Sequence, residues 1–558
     1  MREFEFYFSN HELLKILSRK RSALAKKEHD KLFHKKMLLE NESKKFNLLL
    51  YEIFPPRNEW IRLTKKERKG KNALEINTIQ LERTVKRLTK NFKNEPKAGW
   101  ETNLYNLLTN IKERALQNKY KIPKPKIIPH FKEKKEGKEI FRPITNFEYI
   151  DRVLISQLNK YLTDQLDCLF SDSSYAFRST SSSGKSYSHH KAIEDIIEFK
   201  KKFKDTDLWV AEYDIKKFYD CVNHDVIKKS FKSKVLELED NGKIINKRAI
   251  ELFNSYLDCY SFNKDVYTIK LGENKYFGWV NDDELKEINS DKENEMIGVP
   301  QGGALSCLIA NILMDDVDKE VLKHNDGNLF YARFCDDMVL IHPEEKICNI
   351  ALKSYSEALK NVRLIGHSPT EIEKYDKTFW DSKSKAPYKW AHNNKLSIEK
   401  INVPWLSFVG YQITPKLKVR VRKTSLKKEI TKQIRETDNI IELIKKGKYF
   451  RVSQKAIKFR LTQRLFAMSV GRINILNQNN SNQMCWTSGF RVLKENNFVH
   501  FHIKNLDRKR CVQIKRLSHH LGKMNPEQRP ERNEKIKELN KEPRFYGYPF
   551  SYYKQFNK

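Results

Sequence analysis

Leu329-Phe330-Tyr331-Ala332-Arg333-Phe334-Cys335-Asp336-Asp337-Met338-Val339-Leu340-Ile341 is the stretch on which the fold turns. Two apolar, aromatic-rich runs flank a pair of adjacent acids, and Asn325-Asp326-Gly327 marks a turn just ahead of the first run. The pattern predicts a β-hairpin. Neighbouring side chains on a regular strand point to opposite faces, whereas at a hairpin tip Asp336 and Asp337 can be held near one point. Two carboxylates there repel each other unless a cation occupies the site. A plain polar turn is the simpler alternative, because Asp is common in turns, and this segment alone leaves both readings open.

Upstream, Leu208-Trp209-Val210-Ala211-Glu212-Tyr213-Asp214 reads as an apolar strand ending in an acid, with the aromatic pair Phe218-Tyr219 four and five residues later. Asp214 alone could be a surface acid. Taken with the hairpin, it supplies the third carboxylate that a two-metal phosphoryl-transfer site requires. In such sites the ions lie about 3.5–4 Å apart and share bridging carboxylates.

In this order, the two segments resemble the A and C motifs of reverse transcriptases. The family's aromatic–x–Asp–Asp tetrad is here Phe334-Cys335-Asp336-Asp337, with Cys335 in place of the more frequent Ala or Met and Phe334 in place of Tyr. Neither departure touches a metal ligand. Between them, Gly298-Val299-Pro300-Gln301-Gly302-Gly303-Ala304-Leu305-Ser306-Cys307 looks like the B motif, with Cys307 where Pro is frequent. Lys138-Glu139-Ile140-Phe141-Arg142-Pro143-Ile144 resembles the fingers strand that faces the incoming triphosphate. Tyr175-Ala176-Phe177-Arg178 is similar to the Tyr-Gly-Phe-Arg segment of group II intron and retron enzymes. Lys377-Thr378 stands where those enzymes carry a Lys-Thr pair, and Trp405-Leu406-Ser407-Phe408-Val409-Gly410-Tyr411 resembles the primer-grip turn. The ordered set covers about residues 120–430.

The resemblance implies an RNA-directed DNA polymerase with two Mg²⁺ ions, Mn²⁺ being an alternative. Asp214, Asp336 and Asp337 would be catalytic and would ligate the metals together with the Ile215 carbonyl, Asp337 as the lesser ligand. Lys138, Arg142, Phe218, Tyr219, Gln301, Gly302 and Lys377 would bind the nucleotide, and Tyr219 matches the bulky residue that excludes a 2′-hydroxyl. Arg178, Phe408, Gly410 and Tyr411 would touch nucleic acid. So would Lys416, Lys418, Arg420 and Arg422, which alternate with Leu417, Val419 and Val421 and predict a strand with one apolar and one basic face. A solvated basic edge strand is the alternative there. The implied partners are dNTPs, a DNA product and an RNA template, which a dedicated noncoding RNA could provide; a homo-oligomer stays open.

The implied architecture is α+β, a right-hand polymerase fold with fingers and an antiparallel-sheet palm. We expect a helical basic N-terminal extension over 1–115, fingers over 116–205, and a palm over 206–412 with an insertion near 231–297. A thumb and basic helical C-terminal region follow over 413–558. Residues 281–296 are acidic and polar and predict an exposed loop. Ser183-Gly184-Lys185-Ser186 contains Gly-Lys-Ser but lacks the upstream Gly of a phosphate-binding loop, Ser179 standing there, and we read it as a Ser-rich loop.

Composition agrees with a nucleic-acid partner. Against 72 acidic residues stand 108 Lys and Arg, a net charge of +36, and phosphate backbones are the commonest counter-charge for such an excess. A Lys-rich composition from an AT-rich genome is the bland alternative. No apolar run approaches the roughly 20 residues of a membrane span, and the acidic, aromatic start Met1-Arg2-Glu3-Phe4-Glu5 is unlike a secretory signal. The eight cysteines are scattered without a CxxC pair, which predicts reduced thiols in a cytoplasm.

No integrase, protease, ribonuclease H or homing-endonuclease pattern is visible. The helical leader, together with Cys485-Trp486-Thr487-Ser488-Gly489-Phe490 and Leu506-Asp507-Arg508-Lys509-Arg510, looks most like the bacterial defence enzymes of the abortive-infection type; retron and mobile-element enzymes are the nearer alternatives. In the defence group synthesis is templated by a noncoding RNA or untemplated, and a protein hydroxyl can prime. Tyr546, Tyr548, Tyr552 and Tyr553 are candidates for that role, with an apolar docking tail as the alternative. An RNA-directed RNA polymerase and a non-catalytic nucleic-acid-binding scaffold remain as rivals.

Overall fold

The computed structural model describes residues 2–35, 49–71, 73–97, 99–117, 119–178, 187–279, 282–287, 289, 291, 294–391, 402–446, 453–470, 493 and 497–523. Ser183-Gly184-Lys185-Ser186, Cys485–Phe490 and the tyrosines at 546, 548, 552 and 553 lie outside these residues. In chain order the strands are β1 (Lys126–Lys135), β2 (Lys138–Asn146), β3 (Leu208–Asp214), β4 (Lys275–Phe277), β5 (Phe330–Phe334), β6 (Asp337–His342), β7 (Lys385–Trp390), β8 (Asn402–Val403), β9 (Leu406–Phe408), β10 (Tyr411–Ile413) and β11 (Val419–Val421). The chain divides into two compact units: residues 1–13, 106–409 and 414–417 form one, and 14–105, 410–413 and 418–558 the other.

The first unit is α+β. Its main sheet runs β5-β6-β3-β7-β8, with β3 antiparallel to both β6 and β7. Val210, Ala211, Val339, Leu340, Ile341 and Trp390 are fully buried, as expected of a central strand covered on both sides. Helices Ala304–Leu322 and Glu345–Asn361 supply much of the apolar cover, each with a run of buried residues. Two polar ties fix the strands. Glu212 on β3 accepts from Lys385 Nζ at 2.5 Å and Tyr388 Oη at 2.6 Å on β7. Asp318 accepts from Arg333 Nε and Nη2, each at 2.7 Å, and from Tyr331 Oη at 2.6 Å. Arg333 and Asp318 have no exposed side-chain surface, and Arg333 also donates to Ser174 Oγ at 3.0 Å and to Cys335 O at 3.4 Å, so the pair is compensated inside the protein.

A second, smaller sheet in the same unit has the order β1-β2-β4. β1 and β2 are joined by Glu136-Gly137, both at positive φ (51° and 78°), the backbone of a type I′ hairpin turn. The far end of β2 is sewn to the Gly/Gln loop: Thr145 N donates to Gln301 O at 2.9 Å and Thr145 Oγ1 to the same oxygen at 3.0 Å. The acidic, aromatic N-terminus is core, with Phe4 and Tyr7 edge-on to Tyr161 and Tyr7 Oη donating to Asp164 at 2.6 Å.

The exposed loop expected over 281–296 is corrected in part. Asp282–Lys286 is helical, and Leu285 and Asn289 are 2% and 1% exposed. Buried Leu285 anchors the acidic run, and Glu284 pairs with Lys216 and Glu295 with Arg363.

The second unit contains helix Ala73–Leu88, the β10–β11 hairpin, and helices Lys423–Lys445, Gln454–Val470 and Asn497–Gly522. The last three close on Ile440, Ile441, Ile457, Leu461, Leu465, Ile514, Leu517 and Leu521. Arg464 binds Glu436 through two nitrogens, at 3.0 and 3.1 Å. No described helix is long and apolar enough to cross a membrane.

Candidate active site

The acidic hairpin forms as its sequence predicts, with Phe334 opposite Asp337 and Cys335-Asp336 as the two-residue loop. Cys335 takes φ +61°, a left-handed conformation that costs a side-chain-bearing residue roughly 1–3 kcal/mol. This backbone turns Asp336 out of the strand alternation. β3 runs antiparallel beside β6 with Asp214 opposite Asp337, so three acids from two distant segments meet at one end of the sheet.

Asp214 and Asp336 line a cavity of about 660 Å³. Burial raises the Asp336 pKa, its own backbone amide offsets part of that, and the Asp214 charge raises it further. Asp337 is exposed and does not line the cavity. Five cations share the wall, Lys132, Arg142, Lys216, Lys217 and Lys383, with Asp220 and Glu284 as further acids and Phe141, Phe218, Tyr219 and Trp279 as its aromatic part. Burial lowers the Lys217 pKa, and the neighbouring charges of Lys132, Lys383 and Arg142 lower it again. Lys217 Nζ packs over Gly278, where a Cβ would lie 2.4 Å from it and would displace the ammonium.

Asp214 is held by its backbone as well as its charge. Its N–H donates to Ser384 Oγ at 3.0 Å and its carbonyl accepts from His367 N at 3.0 Å. Its Oδ2 lies 3.4 Å from Lys383 Nζ and 3.5 Å from His367 Nε2. Burial lowers the His367 pKa, and Lys383 adds to that, which favours the neutral imidazole.

Tyr219 lines the cavity, and its hydroxyl lies 3.2 Å from Cys335 Sγ. Burial, then the nearby Cys335 and Cys307, push the Tyr219 pKa far up, so it is a neutral phenol. The two cysteines at which this chain departs from the family pattern therefore meet around one tyrosine. Phe218 is 3% exposed and packs edge-on against Tyr219 with centroids 5.2 Å apart. Gln301 Nε2 donates to Asp220 Oδ1 at 2.5 Å, and burial pushes the Asp220 carboxyl up to about 7 against the opposing effects of Gln301 and Lys217. Gly302, at φ +95°, carries the chain past Ile144 without lining the cavity.

Several expected contacts are corrected. Lys138 stands beside the hairpin turn, 5.6 Å from the Tyr276 ring, and does not line the cavity; Lys132 does. Lys377 begins a short helix with its side chain 90% exposed, away from the cavity, and Lys383 takes the place expected of it. Arg178 is spent inside the fold: it pairs with Asp167 at 2.8 Å and donates to the carbonyls of residues 167, 170, 171 and 174. Its side chain is 3% exposed. The basic strand over 415–423 shrinks to Val419–Val421, because Leu417 at φ +60° breaks the alternation. Arg420 is buried with Nε donating to Gln412 Oε1 at 2.8 Å, while Lys416, Lys418 and Arg422 are exposed. Phe408 and Tyr411 are buried, and Gly410 turns at φ +87°.

Lys132, Lys217, His367, Lys383 and Asp220 were missed from sequence. Lys132 was not recoverable from the Glu136-Gly137 turn, because the register shifts between Phe131 and Glu133 and leaves Lys132 in the irregularity. His367 and Lys383 carry no local signal. His367 arrives because Ile215 bridges to Gly366 and Lys216 N donates to Ile365 O at 2.7 Å, and Lys383 because β7 pairs with β3 and Ser384 Oγ accepts from Asp214 N.

Residues 122–368 match the family described as reverse transcriptase (RNA-dependent DNA polymerase). No curated protein matches the chain in sequence. Among solved structures, apo telomerase from Candida tropicalis is 14% identical over 90% of this chain and 82% of its own, with a TM-score of 0.33. Telomerase from Candida albicans with a fragment of telomeric RNA is 13% identical over 82% and 73%, also with a TM-score of 0.33. Similarity at that level carries no argument about function.

Proposed function

We propose that this chain, an RNA-directed DNA polymerase through the reverse transcriptase domain at residues 122–368, builds DNA from dNTPs at the cavity between Asp214 and Asp336 and serves bacterial antiphage defence. The observation that carries the catalytic reading is that cavity: Asp214, at the end of one strand, and Asp336, in the hairpin loop, share it with Lys132, Arg142, Lys217 and Lys383.

Asp214, Asp336 and the Ile215 carbonyl would hold two divalent ions, Mg²⁺ or Mn²⁺, with Asp337 at the margin. The donor set fits, since both side chains offer hard oxygens and the Asp214 charge bears on half-buried Asp336. No group of three metal-ligating side chains occurs among the described residues, so triphosphate and water oxygens would complete the shells. Such ions, when bound, acidify the primer 3′-hydroxyl and offset charge on the leaving pyrophosphate. The protein's own part is electrostatic and steric. Arg142, Lys132 and Lys217 neutralise the triphosphate, Arg142 with its planar fork. Gln301, fixed by Asp220, lines the nucleotide's seat. Tyr219, held beside Cys335, fills the space a 2′-hydroxyl would need, which selects dNTPs.

The defence setting, with a noncoding RNA template or untemplated synthesis, rests on the likeness of the leader and the C-terminal segments to abortive-infection enzymes. Purified protein is incubated with Mg²⁺, an RNA template, a DNA primer and labelled dNTPs or rNTPs, with Asp336→Ala/Asp337→Ala as control. A DNase-sensitive, dNTP-dependent product absent from the control is expected; product from rNTPs alone overturns the assignment. Phage plaque counts on cells carrying either protein test the defence role, and equal counts remove it.

A further inference from the structure

Far along the sequence from the polymerase cavity, the helical leader contains a cavity of about 620 Å³ of distinct chemistry. Arg57, Arg62 and Arg68 line it together with the amides of Asn58, Asn77 and Gln80, and no carboxylate does. The segment that builds it is tightly specified. Pro56 leads into a single 3₁₀ turn, Arg57–Glu59, and Trp60 Nε1 donates back to Pro55 O at 3.0 Å. Ile61 N donates to Thr84 Oγ1 at 2.9 Å, which ties the segment to helix Ala73–Leu88. Thr64 and Glu67 form a capping box around the next turn, and Arg68 Nε donates to Leu63 O at 2.7 Å. Glu67, the adjacent acid, is engaged by Arg83.

The backbone that carries the lining groups is held in place, while their side chains are exposed or half-buried and their hydrogen-bonding capacity is unspent. Arg57 and Arg62 make no ion pair or side-chain hydrogen bond among the described residues, and the same holds for the three amides. Arg68 uses only its Nε. Three guanidinium groups without counter-ions repel one another, so a rigid scaffold that gathers them is stabilised by an anion. Guanidinium forks match phosphate oxygens bidentately, and neutral amides beside them suit sugar hydroxyls and base edges.

We infer that this leader cavity grips the sugar–phosphate backbone of an RNA strand, as an anchoring site separate from the nucleotide pocket. The identity of the strand as RNA rests on the reading of the chain as an RNA-directed polymerase; the phosphate chemistry does not.

The test uses the full chain and a fluorescein-labelled 40-nucleotide RNA of mixed sequence, with anisotropy read from 50 to 300 mM KCl. Arg57→Gln/Arg62→Gln/Arg68→Gln is expected to weaken binding about 10- to 100-fold at physiological salt and to flatten the log–log salt slope by about two. The triple Lys variant keeps the charge and should retain the slope while losing part of the affinity, which separates anion binding from a folding defect. Extension of oligo(dT) on saturating poly(rA) should keep its maximal rate in the Gln variant. Unchanged RNA affinity and slope in that variant overturn the proposal. Displacement of the RNA by micromolar tripolyphosphate from the wild type alone also overturns it, since the site would then serve a free polyphosphate. Wild-type protein that extends no primer, yet still loses RNA affinity in the Gln variant, would sink the polymerase reading and leave the anchoring site standing.

Discussion

Asp318 and Asp336 belong to the same sheet-and-helix layer and are treated in opposite ways. Asp318 is fully buried and receives three hydrogen bonds from Arg333 and Tyr331. Asp336 is half-buried, in a strained turn, and its pKa is raised by burial and then by a second carboxylate, Asp214. The first acid is satisfied by a guanidinium and a phenol of the protein, and the second faces another carboxylate. The two are distinguished by the charge placed beside them, more than by residue type.

Four experiments break or sharpen that contrast. Asp336→Asn should reduce dNTP incorporation by about 10³-fold or more, as expected when a two-metal site loses a ligand, while the melting temperature holds or rises because a repulsion has been removed. A melting temperature that falls sharply would make Asp336 a structural acid after all. Arg333→Leu should cost about 3–5 kcal/mol in urea unfolding, the usual penalty for orphaning one partner of a buried pair. Adding Asp318→Asn should recover part of it, and a single mutant as stable as wild type would refute the pairing argument.

Asp220 lies between the two cases, buried, with the Gln301 amide as its hydrogen-bond donor and Lys217 as the leading opposing charge. Its carboxyl, pushed up to about 7, keeps its proton in the folded protein where the unfolded chain has released it. This contribution to stability is therefore fully present below about pH 4 and lost as pH rises through 7. Urea midpoints should drop between pH 5 and 8, and Asp220→Asn should flatten that drop; parallel curves would show the group titrates normally. The smallest effect concerns the two lysines. Lys383→Ala should lower kcat/KM about 10-fold, because its ammonium faces Asp214 across 3.4 Å, whereas Lys377→Ala, 90% exposed, should be silent. The reverse result would mean that the sequence-based assignment of Lys377 describes the working enzyme better.

Much of the site was legible because its signals are local. The acidic hairpin announces itself through alternation and a turn, and Asp214 through a strand that ends in charge. The Gly/Gln loop is carried by glycines such as Gly302, whose backbone at φ +95° favours that residue. Failures cluster where a local pattern was read as exposure. Arg178 looked available and is buried in carbonyls. Arg420 sat on the predicted basic face and turned inward, because one left-handed residue, Leu417, ended the period of two. A charged side chain carries no mark in sequence that says whether the fold will satisfy it.

By itself the sequence determined the chemistry on offer: three acids near strand ends, a basic excess, and an order of motifs that resembles that of reverse transcriptases. Short-range rules suffice for that, since strand period, turn residues and motif spacing each act over a few residues. Only the tertiary structure decided which cations face Asp214, that Cys307 and Cys335 meet at Tyr219, and that Lys132 rather than Lys138 reaches the cavity. Those outcomes depend on strand register and on backbone bridges such as Ile215 to Gly366, which join positions far apart in the chain. The free energy that selects among such pairings comes from burying the whole sheet at once, so no single segment encodes it.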